Sequence, residues 1–351
     1  MIPVMSQLIL YILYQFNGNR SIYGVYHLLK GKRSAQTIQD GHLFRCLFLF
    51  GIIPSLTREQ TDKSIQHLES ISAVSRVHEE RFVVTKLGES IVRQFQQDAA
   101  FFHHIDGWKY KEVDMVFWYR LTLFIQCLSF MVKKESKFIP ITNERHILQW
   151  VRQSFPRNQE ERKKQLNDLY KELLSYLVKI EEINATIVVK KLTGATQIGL
   201  TNEQLAFKYK LDKEWINLRF LATVHQLLKE IETEPNQYPM LSRFYEKNRT
   251  LNVTSSTKQT YDLLQQGKSI QQIAEIRQLK ENTIEDHIVE IAIEDQSFSI
   301  SSFVGQNHQL EIERLSRKEQ TKRLRDLKDK LDDDISYFQI RLVLSRMDVE
   351  S

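Results

Sequence analysis

The sequence is poor in cysteine, glycine and proline: its 351 residues include two cysteines, 11 glycines and six prolines. Two thiols, Cys46 and Cys127, are too few for a disulfide framework or a four-cysteine zinc site. Both lie in apolar stretches, which predicts buried thiols in a reducing compartment. Because glycine and proline interrupt regular structure, their scarcity favours a mainly helical chain with short connections.

Signatures of catalysis are also missing. The nearest match to a phosphate-binding loop is GATQIGLT, residues 194–201, where Leu200 replaces the lysine that holds the β- and γ-phosphates. His103 and His104 are adjacent and should diverge on a helix, which favours a surface polar cluster over a metal site. Neither a G-x-S-x-G elbow nor an H-E-x-x-H pair occurs. The sequence therefore predicts a protein that is not an enzyme, with no cofactor, metal or small-molecule ligand.

No membrane segment is predicted. The N-terminal apolar stretch lacks the basic region and the cleavage site of a signal peptide. Residues 113–132 are nearly long enough to span a bilayer, but Asp114, Arg120 and Gln126 would be costly in lipid. We interpret this stretch as a buried helix and expect a cytoplasmic protein, free or associated with the nucleoid.

Residues 1–97 have the pattern of a winged-helix-like domain. Apolar residues at helical spacing predict four helices, at 5–16, 21–30, 34–50 and 58–71. Candidate N-caps precede the last three helices: Ser21, Ser34 and Thr57. The period then changes to that of two short strands, 73–77 and 81–84, before a closing helix.

Residues 98–250 are predicted to be a helical middle region, with a candidate linker at 234–241, and they contain an internal echo. LTNEQLAFKYKLDKEWI (200–216) aligns without a gap on KSIQQIAEIRQLKENTI (268–284). The shared pattern is a capped helix, a small residue where two helices cross, a buried leucine in the turn and an isoleucine five residues later. Two interpretations stay open: a second helix-turn-helix near 200–220, or chance agreement between amphipathic helices.

Residues 253–351 are predicted to form a helix-turn-helix module. Ser255 or Ser256 is the candidate cap of its first helix, and Gly267 ends that helix. The predicted core comprises Ile273, Ala274, Leu279, Ile284 and Ile288. The third helix, which would lie against DNA, carries four carboxylates: Glu281, Glu285, Asp286 and Glu290. Carboxylates repel phosphates, so this helix is poorly suited to reading bases and could dock a protein instead.

Two basic stretches are candidates for contacts with a nucleic-acid backbone. KGKRSAQT (30–37) places cations directly before a helix N-terminus, where backbone N–H groups also attract phosphate. Residues 314–330 carry eight cationic and three acidic residues, a local charge of +5 that equals the net charge of the chain. A solvated surface is the alternative for each stretch. The candidate DNA-binding residues are Lys30, Lys32, Arg33, Gln36, Arg317, Lys318, Lys322, Arg323 and Arg325.

The last hundred residues resemble the helix-turn-helix at the C-terminal end of RecQ-type DNA helicases, chiefly in STKQTYDLLQQGKSIQQIAEIRQLKENTIEDHIVE and in ISYFQIRLVL. The matching residues are Thr257, Thr260, Leu263, Leu264, Gly267, Ser269, Ile273, Ala274, Arg277, Leu279, Thr283, Ile284, His287 and Ile288. The whole chain, including SIYGVYHLLKGKRSAQTIQDGHLF, is similar to the YpbB family of Gram-positive bacteria.

The resemblance implies an accessory protein that supplies a short RecQ-type helicase with the tail it lacks. We therefore expect an adaptor for such a helicase in DNA repair or recombination, binding forked or single-stranded DNA without sequence preference. Two alternatives remain: a helix-turn-helix transcription regulator, and an interaction scaffold that does not bind DNA. In sum, the sequence predicts a mainly α fold with a winged-helix-like N-terminal domain, a small β-hairpin, a helical middle region and a C-terminal helix-turn-helix module.

Overall fold

The computed structural model describes residues 2–135, 137–246, 252–319 and 324–347. Helices dominate these residues, and their strands form a single two-stranded antiparallel hairpin, so the predicted mainly α class is confirmed. The chain divides into two compact units. The middle unit comprises Met1–Gln7 and Arg93–Lys247, and the terminal unit comprises Leu8–Val92 and Asn248–Ser351. Within the terminal unit, the first and last parts of the sequence therefore pack together.

The N-terminal part has the predicted order of helices, hairpin and closing helix. Its elements are α1 (Val4–Phe16), α2 (Ile22–Lys30), α3 (Ala35–Leu43), a 3-10 helix (Leu47–Leu49), α4 (Arg58–Ser70), β1 (Val74–His78), β2 (Arg81–Val84) and α5 (Lys86–Asp98). Ser34 and Thr57 accept hydrogen bonds from backbone N–H groups of α3 and α4, as N-caps do. Ser21 precedes α2 as expected, but its side chain makes no capping hydrogen bond.

The single helix predicted over residues 34–50 is wrong in its second half. α3 ends at Leu43, and Arg45 adopts a left-handed conformation with φ of 57°. Phe44 and Cys46 are both buried, at 2% and 0% exposure. On a continuous helix these two side chains would point to opposite faces. The turn brings both into the core, which helical periodicity alone could not reveal.

The middle part is helical throughout. Its helices are α6 (Gly107–Tyr110), α7 (Asp114–Val132), α8 (Arg145–Ser154), α9 (Gln159–Leu177), α10 (Glu182–Lys191), α11 (Asn202–Tyr209) and α12 (Lys213–Thr233), with 3-10 helices at Ala100–His104 and Leu241–Phe244. α7 packs against α8, α9 and α12, and α12 also packs against α10 and α11. The central positions of α7 and α12 thus build the core of the middle unit.

α7 is long and apolar enough to span a bilayer, the one such helix within the described ranges, and half of its most apolar part is buried within the protein. Its polar residues have protein partners. Asp114 lies 3.2 Å from Nε2 of the buried His225. Arg120 lies 3.0 Å from a carboxylate oxygen of Glu246 and stacks on Trp150. Buried charges are stable when they are paired in this way, as expected for the core helix of a protein.

The C-terminal part contains α13 (Ser255–Gln265), α14 (Ile270–Arg277), α15 (Glu281–Glu294), α16 (Gln306–Glu319), α17 (Leu324–Lys328) and α18 (Tyr337–Leu344). The predicted cap of α13 is wrong by one residue or two, because Thr254 occupies that position and accepts the N–H of Thr257. Gly267 follows α13 with φ of 76°, a left-handed conformation that favours glycine.

The two segments that are similar in sequence, 200–216 and 268–284, also have the same local geometry. Thr201 and Ser269 each form a capping box, with Gln204 and Gln272 as their partners. After both helices the chain turns through a left-handed residue, Lys210 at φ 54° and Gln278 at φ 51°.

The packing of the two turns is also the same. Leu211 N–H donates to Ala206 O at 3.0 Å, and Leu279 N–H donates to Ala274 O at 2.9 Å. Ile216 and Ile284 then enter the core with no exposed surface. α11–α12 and α14–α15 therefore share one helix–turn–helix geometry, although they belong to different units.

The two left-handed turn residues yield a prediction about stability. A left-handed conformation raises the energy of a residue that has a Cβ by about 1–2 kcal/mol, and replacing it with glycine removes this cost. Glycine also loses more backbone entropy on folding, which cancels part of the gain in stability. Lys210→Gly and Gln278→Gly should each raise the free energy of unfolding by roughly 0.5–1 kcal/mol in urea denaturation. Glu275→Gly, at an exposed position inside α14, is the control and should lower it by about 1 kcal/mol. Equal destabilisation by all three changes would contradict this assignment of the turns.

Candidate nucleic-acid interface

The third helix of the C-terminal helix-turn-helix lies inside the terminal unit. α15 packs against α13 and α14, as in any helix-turn-helix, and also against α3 and α18. Six consecutive residues of its second half, 288–293, are buried, and so is Ile284 in its first half. A recognition helix must offer a free face to the major groove. Most of α15 has no such face in the terminal unit.

Three of the five carboxylates of α15 serve contacts within the protein, and the last of them, Glu294, accepts the N–H of Asn252 at 3.0 Å. Glu290 is 3% exposed, and its carboxylate accepts the N–H of Thr254 at 2.8 Å and the hydroxyl of Thr257 at 2.6 Å. Burial raises the pKa of Glu290, while these hydrogen bonds act in the opposite direction. Asp286 pairs with Arg341 of α18. Much of the negative charge on this helix thus holds α13 and α18 in place.

A polar cluster centred on Arg277 joins the three helices of the module. Arg277 Nη1 donates to Ser256 O at 2.7 Å, and its Nη2 donates to Ser256 Oγ at 2.8 Å. His287 Nδ1 lies 2.8 Å from Thr260 Oγ1. Burial, followed by the positive charge of Arg277, lowers the pKa of His287 to about 4. His287 is therefore neutral at pH 7, when its Nδ1 can accept a hydrogen bond.

A groove of about 1140 Å³ lies elsewhere in the terminal unit, between the α2–α3 turn and the α17–α18 segment. We call it the α2–α3 groove. Four cationic side chains line it: Arg20, Lys32, Arg81 and Arg325. Its lining also includes Tyr23 and Tyr337, the first turn of α3, and the carboxylates of Asp40, Asp326 and Asp329. Cations, aromatic rings and a helix N-terminus are the groups that bind a single nucleic-acid strand.

Several cations lie near His27, which is itself part of the groove lining. Burial lowers the pKa of His27, and the charges of Lys32, Arg58 and Lys30 lower it further. Some groove charges are compensated: Arg20 pairs with Asp40 at 2.6 Å, and Arg325 lies 3.9 Å from Asp329, both side chains of that pair being exposed. No carboxylate of the described residues pairs with Lys32. Sequence analysis missed Arg58, since nothing in the sequence places the start of α4 beside His27 and Tyr23 of α2.

Of the predicted DNA-binding residues in the 30–37 stretch, some are exposed and others bind partners within the protein. Lys30 is exposed, with its Nζ 2.9 Å from Tyr26 Oη, and Lys32 is exposed on the groove. Gln36 also lines the groove, but its amide donates to Asp40. Arg33 is half-buried and donates to Asn252 Oδ1 at 2.6 Å. Lys30 and Lys32 thus remain the cations best placed to meet a ligand.

The second group does not lie on one helix. Arg317 and Lys318 are exposed at the end of α16, and Arg325 is exposed on α17. Lys330 pairs with Glu319, although eleven residues of straight helix would hold them about 16 Å apart. α16 and α17 pack on each other instead. Lys322 and Arg323 lie outside the described residues.

The structure brings Lys32 and Arg325 from the two predicted groups to the same groove. Arg317 and Lys318 are not part of its lining. The predicted helix-turn-helix core residues Ile273, Ala274, Ile284 and Ile288 are buried, and Leu279 is half-buried. Proximity of residues some 290 positions apart in the sequence is a product of tertiary packing.

No metal site is present among the described residues, since no three His, Cys, Asp or Glu side chains converge. The expectation that His103 and His104 diverge is wrong. They lie on a 3-10 helix, and their ring centroids are 3.8 Å apart. Because successive side chains leave a 3-10 helix about 120° apart, the backbone does not bring the two rings together, and the rotation of the side chains does.

The stability of the terminal unit should depend on pH through His287. Its folded-state pKa of about 4 lies below the ordinary value of 6.5, so between these values the unfolded chain binds a proton that the folded chain does not. The free energy of unfolding should therefore fall as the pH drops from about 6.5 to about 4. His287→Asn keeps an acceptor near Thr260 and does not titrate, so this variant should lose less stability in urea unfolding over the same range. Equal losses in both proteins would rule out this role of His287.

Comparison with known proteins supports the assignment of the C-terminal module. Residues 256–344 match a family model described as a helix-turn-helix domain. Because this fold is a common DNA-binding device, the match points to DNA binding. No solved structure matches the chain.

The resemblance noted in the sequence extends over nearly the full length of a curated protein. The chain is 35% identical to Protein YpbB of Bacillus subtilis (strain 168) over 342 residues, covering 97% of this chain and 96% of that protein. Identity at this level, spread over both compact units, exceeds what one shared motif would produce. The chain therefore belongs to the YpbB family.

Proposed function

We propose that this protein is a non-enzymatic, DNA-binding accessory protein whose terminal unit holds DNA by its phosphate backbone in the α2–α3 groove. The observation that carries this proposal is that Lys32 and Arg325 both line a groove to which the N-terminus of α3 also belongs. Burial lowers the pKa of His27, and the neighbouring charges of Lys32, Arg58 and Lys30 lower it further, which agrees with a cationic surface. Cationic side chains and free N–H groups bind phosphate whatever the base sequence.

Binding of this kind needs no recognition helix. α15 is largely buried, so the major groove of a duplex cannot be read through it in the usual way. Tyr23 and Tyr337 line the same groove as the cations, and Tyr337 is 47% exposed. Aromatic rings stack on unpaired bases without regard to sequence. We propose single-stranded or forked DNA as the substrate class, and a cytoplasmic or nucleoid location follows from it.

We further propose that the partner is a RecQ-type helicase and that the protein acts as its adaptor in DNA repair or recombination. Support comes from the resemblance of residues 256–290 to the C-terminal helix-turn-helix of such helicases. The absence of a phosphate-binding loop in the sequence fits a protein that works beside a separate motor. One specific observation favours a scaffold without DNA as the second candidate, namely the burial of α15.

Charge reversal in the groove tests the DNA proposal. With the full chain and a labelled forked DNA, Lys32→Glu combined with Arg325→Glu should weaken binding by at least about 10-fold at low salt. Removing two phosphate contacts should also reduce the slope of log affinity against log salt by about 2. Fluorescence anisotropy across a salt series measures both quantities.

A matched double reversal controls for the loss of positive charge. Lys258→Glu with Lys268→Glu changes two exposed residues on α13 and before α14, away from the groove lining. We expect this variant to bind as the unchanged protein does. Selective loss in the control pair would place DNA on the helix-turn-helix itself. Absence of binding at low salt would favour the scaffold, and a strong preference for one sequence would favour a transcription regulator.

The helicase proposal has its own test. Adding the full chain to a RecQ-type helicase that lacks the C-terminal helix-turn-helix should increase unwinding of forked DNA. The Lys32→Glu/Arg325→Glu variant should give a smaller increase, because the adaptor no longer holds the DNA near the motor. A helicase whose unwinding rate is unchanged by the full chain, in conditions where DNA binding is intact, would contradict the adaptor role alone.

A further inference from the structure

A second groove lies in the middle unit and uses none of the residues assigned to DNA. Its volume is about 560 Å³, within the range of ligand-binding clefts. Leu123, Cys127 and Met131 form its floor and recur every four residues along one face of α7. Leu148 and Val151 of α8 form a side wall. We call this cleft the α7–α8 groove, and most of its lining is apolar.

The opposite wall is an extended segment that α7 holds in place. Gln126 is 3% exposed, and its Nε2 donates to Ile139 O at 3.0 Å. The Ile141 N–H donates back to Gln126 Oε1 at 3.1 Å. These two hydrogen bonds place Phe138 and Pro140 on the groove while Ile139 remains 88% exposed beside them. The apolar surface therefore belongs to a segment that is held by the core.

Three arginines surround this apolar cleft: Arg152, Arg157 and Arg162. Arg162 is fixed, because it donates to Pro156 O at 3.0 Å and stacks on Phe155. Arg152 and Arg157 are exposed, and no carboxylate of the described residues pairs with either. No acidic residue lines the groove. Unpaired guanidinium groups beside an apolar floor are complementary to a ligand that is both acidic and apolar.

We propose that the α7–α8 groove binds a short amphipathic segment of a partner protein, with apolar side chains on the floor and carboxylates at the arginines. A helical segment fits best, because residues spaced by three or four would meet the residues spaced by four along α7. A nucleic-acid strand would leave the aliphatic and thioether floor without a matching surface. The proposal concerns the middle unit alone, so it can succeed or fail independently of DNA binding by the terminal unit.

Selection from a display library of random peptides about 16 residues long, roughly four helical turns, tests the proposal on the full chain. Peptides enriched on the unchanged protein should combine Leu or Phe at spacings of three and four with several Asp or Glu. The best peptide, synthesised with a fluorescent label, should lose at least about 10-fold in affinity when Arg152→Glu and Arg157→Glu are introduced together. Lys163→Glu with Lys164→Glu is the matched control on α9, outside the groove lining, and should leave affinity unchanged.

Cys127 offers a readout that does not depend on charge. It is the half-buried thiol on the groove floor, whereas Cys46 has no exposed surface. Burial raises the pKa of Cys127 to about 11, so alkylation by iodoacetamide should be slow at neutral pH and slower still with the peptide bound. An empty selection, enrichment without acidic residues, or equal affinity for the Arg152→Glu/Arg157→Glu variant would overturn the proposal. So would protection of Cys127 by a single-stranded oligonucleotide instead of by the peptide.

Discussion

The buried carboxylate of Glu290 ties the third helix of the C-terminal module to the beginning of its first. Burying a carboxylate costs free energy unless hydrogen bonds replace those of water. Thr254 N–H and the Thr257 hydroxyl supply these bonds, at the N-terminus of α13 where unpaired N–H groups and the helix dipole favour negative charge. The rest of the terminal unit builds on this arrangement, because α3 and α18 pack on the helix that Glu290 fixes.

Because α15 is buried, this helix-turn-helix cannot place its third helix in the major groove of DNA, as such folds usually do. A negatively charged third helix is poorly suited to contact DNA bases. Its carboxylates instead stabilise the fold, because they bind the N-terminus of α13 and Arg341 of α18. α12, its counterpart in the middle unit, is likewise largely buried. Both copies of the geometry thus build cores. The two surfaces proposed to bind ligands are the α2–α3 groove and the apolar α7–α8 groove.

The local structure was largely predictable from sequence. Helix positions, the hairpin and the caps at Ser34 and Thr57 follow from periodicity and from hydrogen bonds within a few residues. The helix predictions failed where the helical pattern of residues continued in the sequence although the chain makes a turn in the structure. Residues 34–50 keep a helical pattern, yet packing requires Phe44 and Cys46 on the same side. Similarly, the Lys330–Glu319 pair shows α16 and α17 folded against each other, which a run of charges does not encode.

The sequence by itself determined the helical class, the family and the C-terminal helix-turn-helix, because these depend on short-range periodicity and on residues matched one by one. The second helix–turn–helix near 200–220 stayed one of two open interpretations until the structure showed its turn. Only the tertiary structure decided which cations lie on the groove that we propose to bind DNA. Arg33 and Gln36 are as polar as Lys32, but they bind Asn252 and Asp40, whereas Lys32 meets Arg325 at a groove. The physical reason is that the partner of a charged side chain depends on which groups lie near it in space. Residues 32 and 325 come near each other only because α2–α3 and α17–α18 pack in one unit.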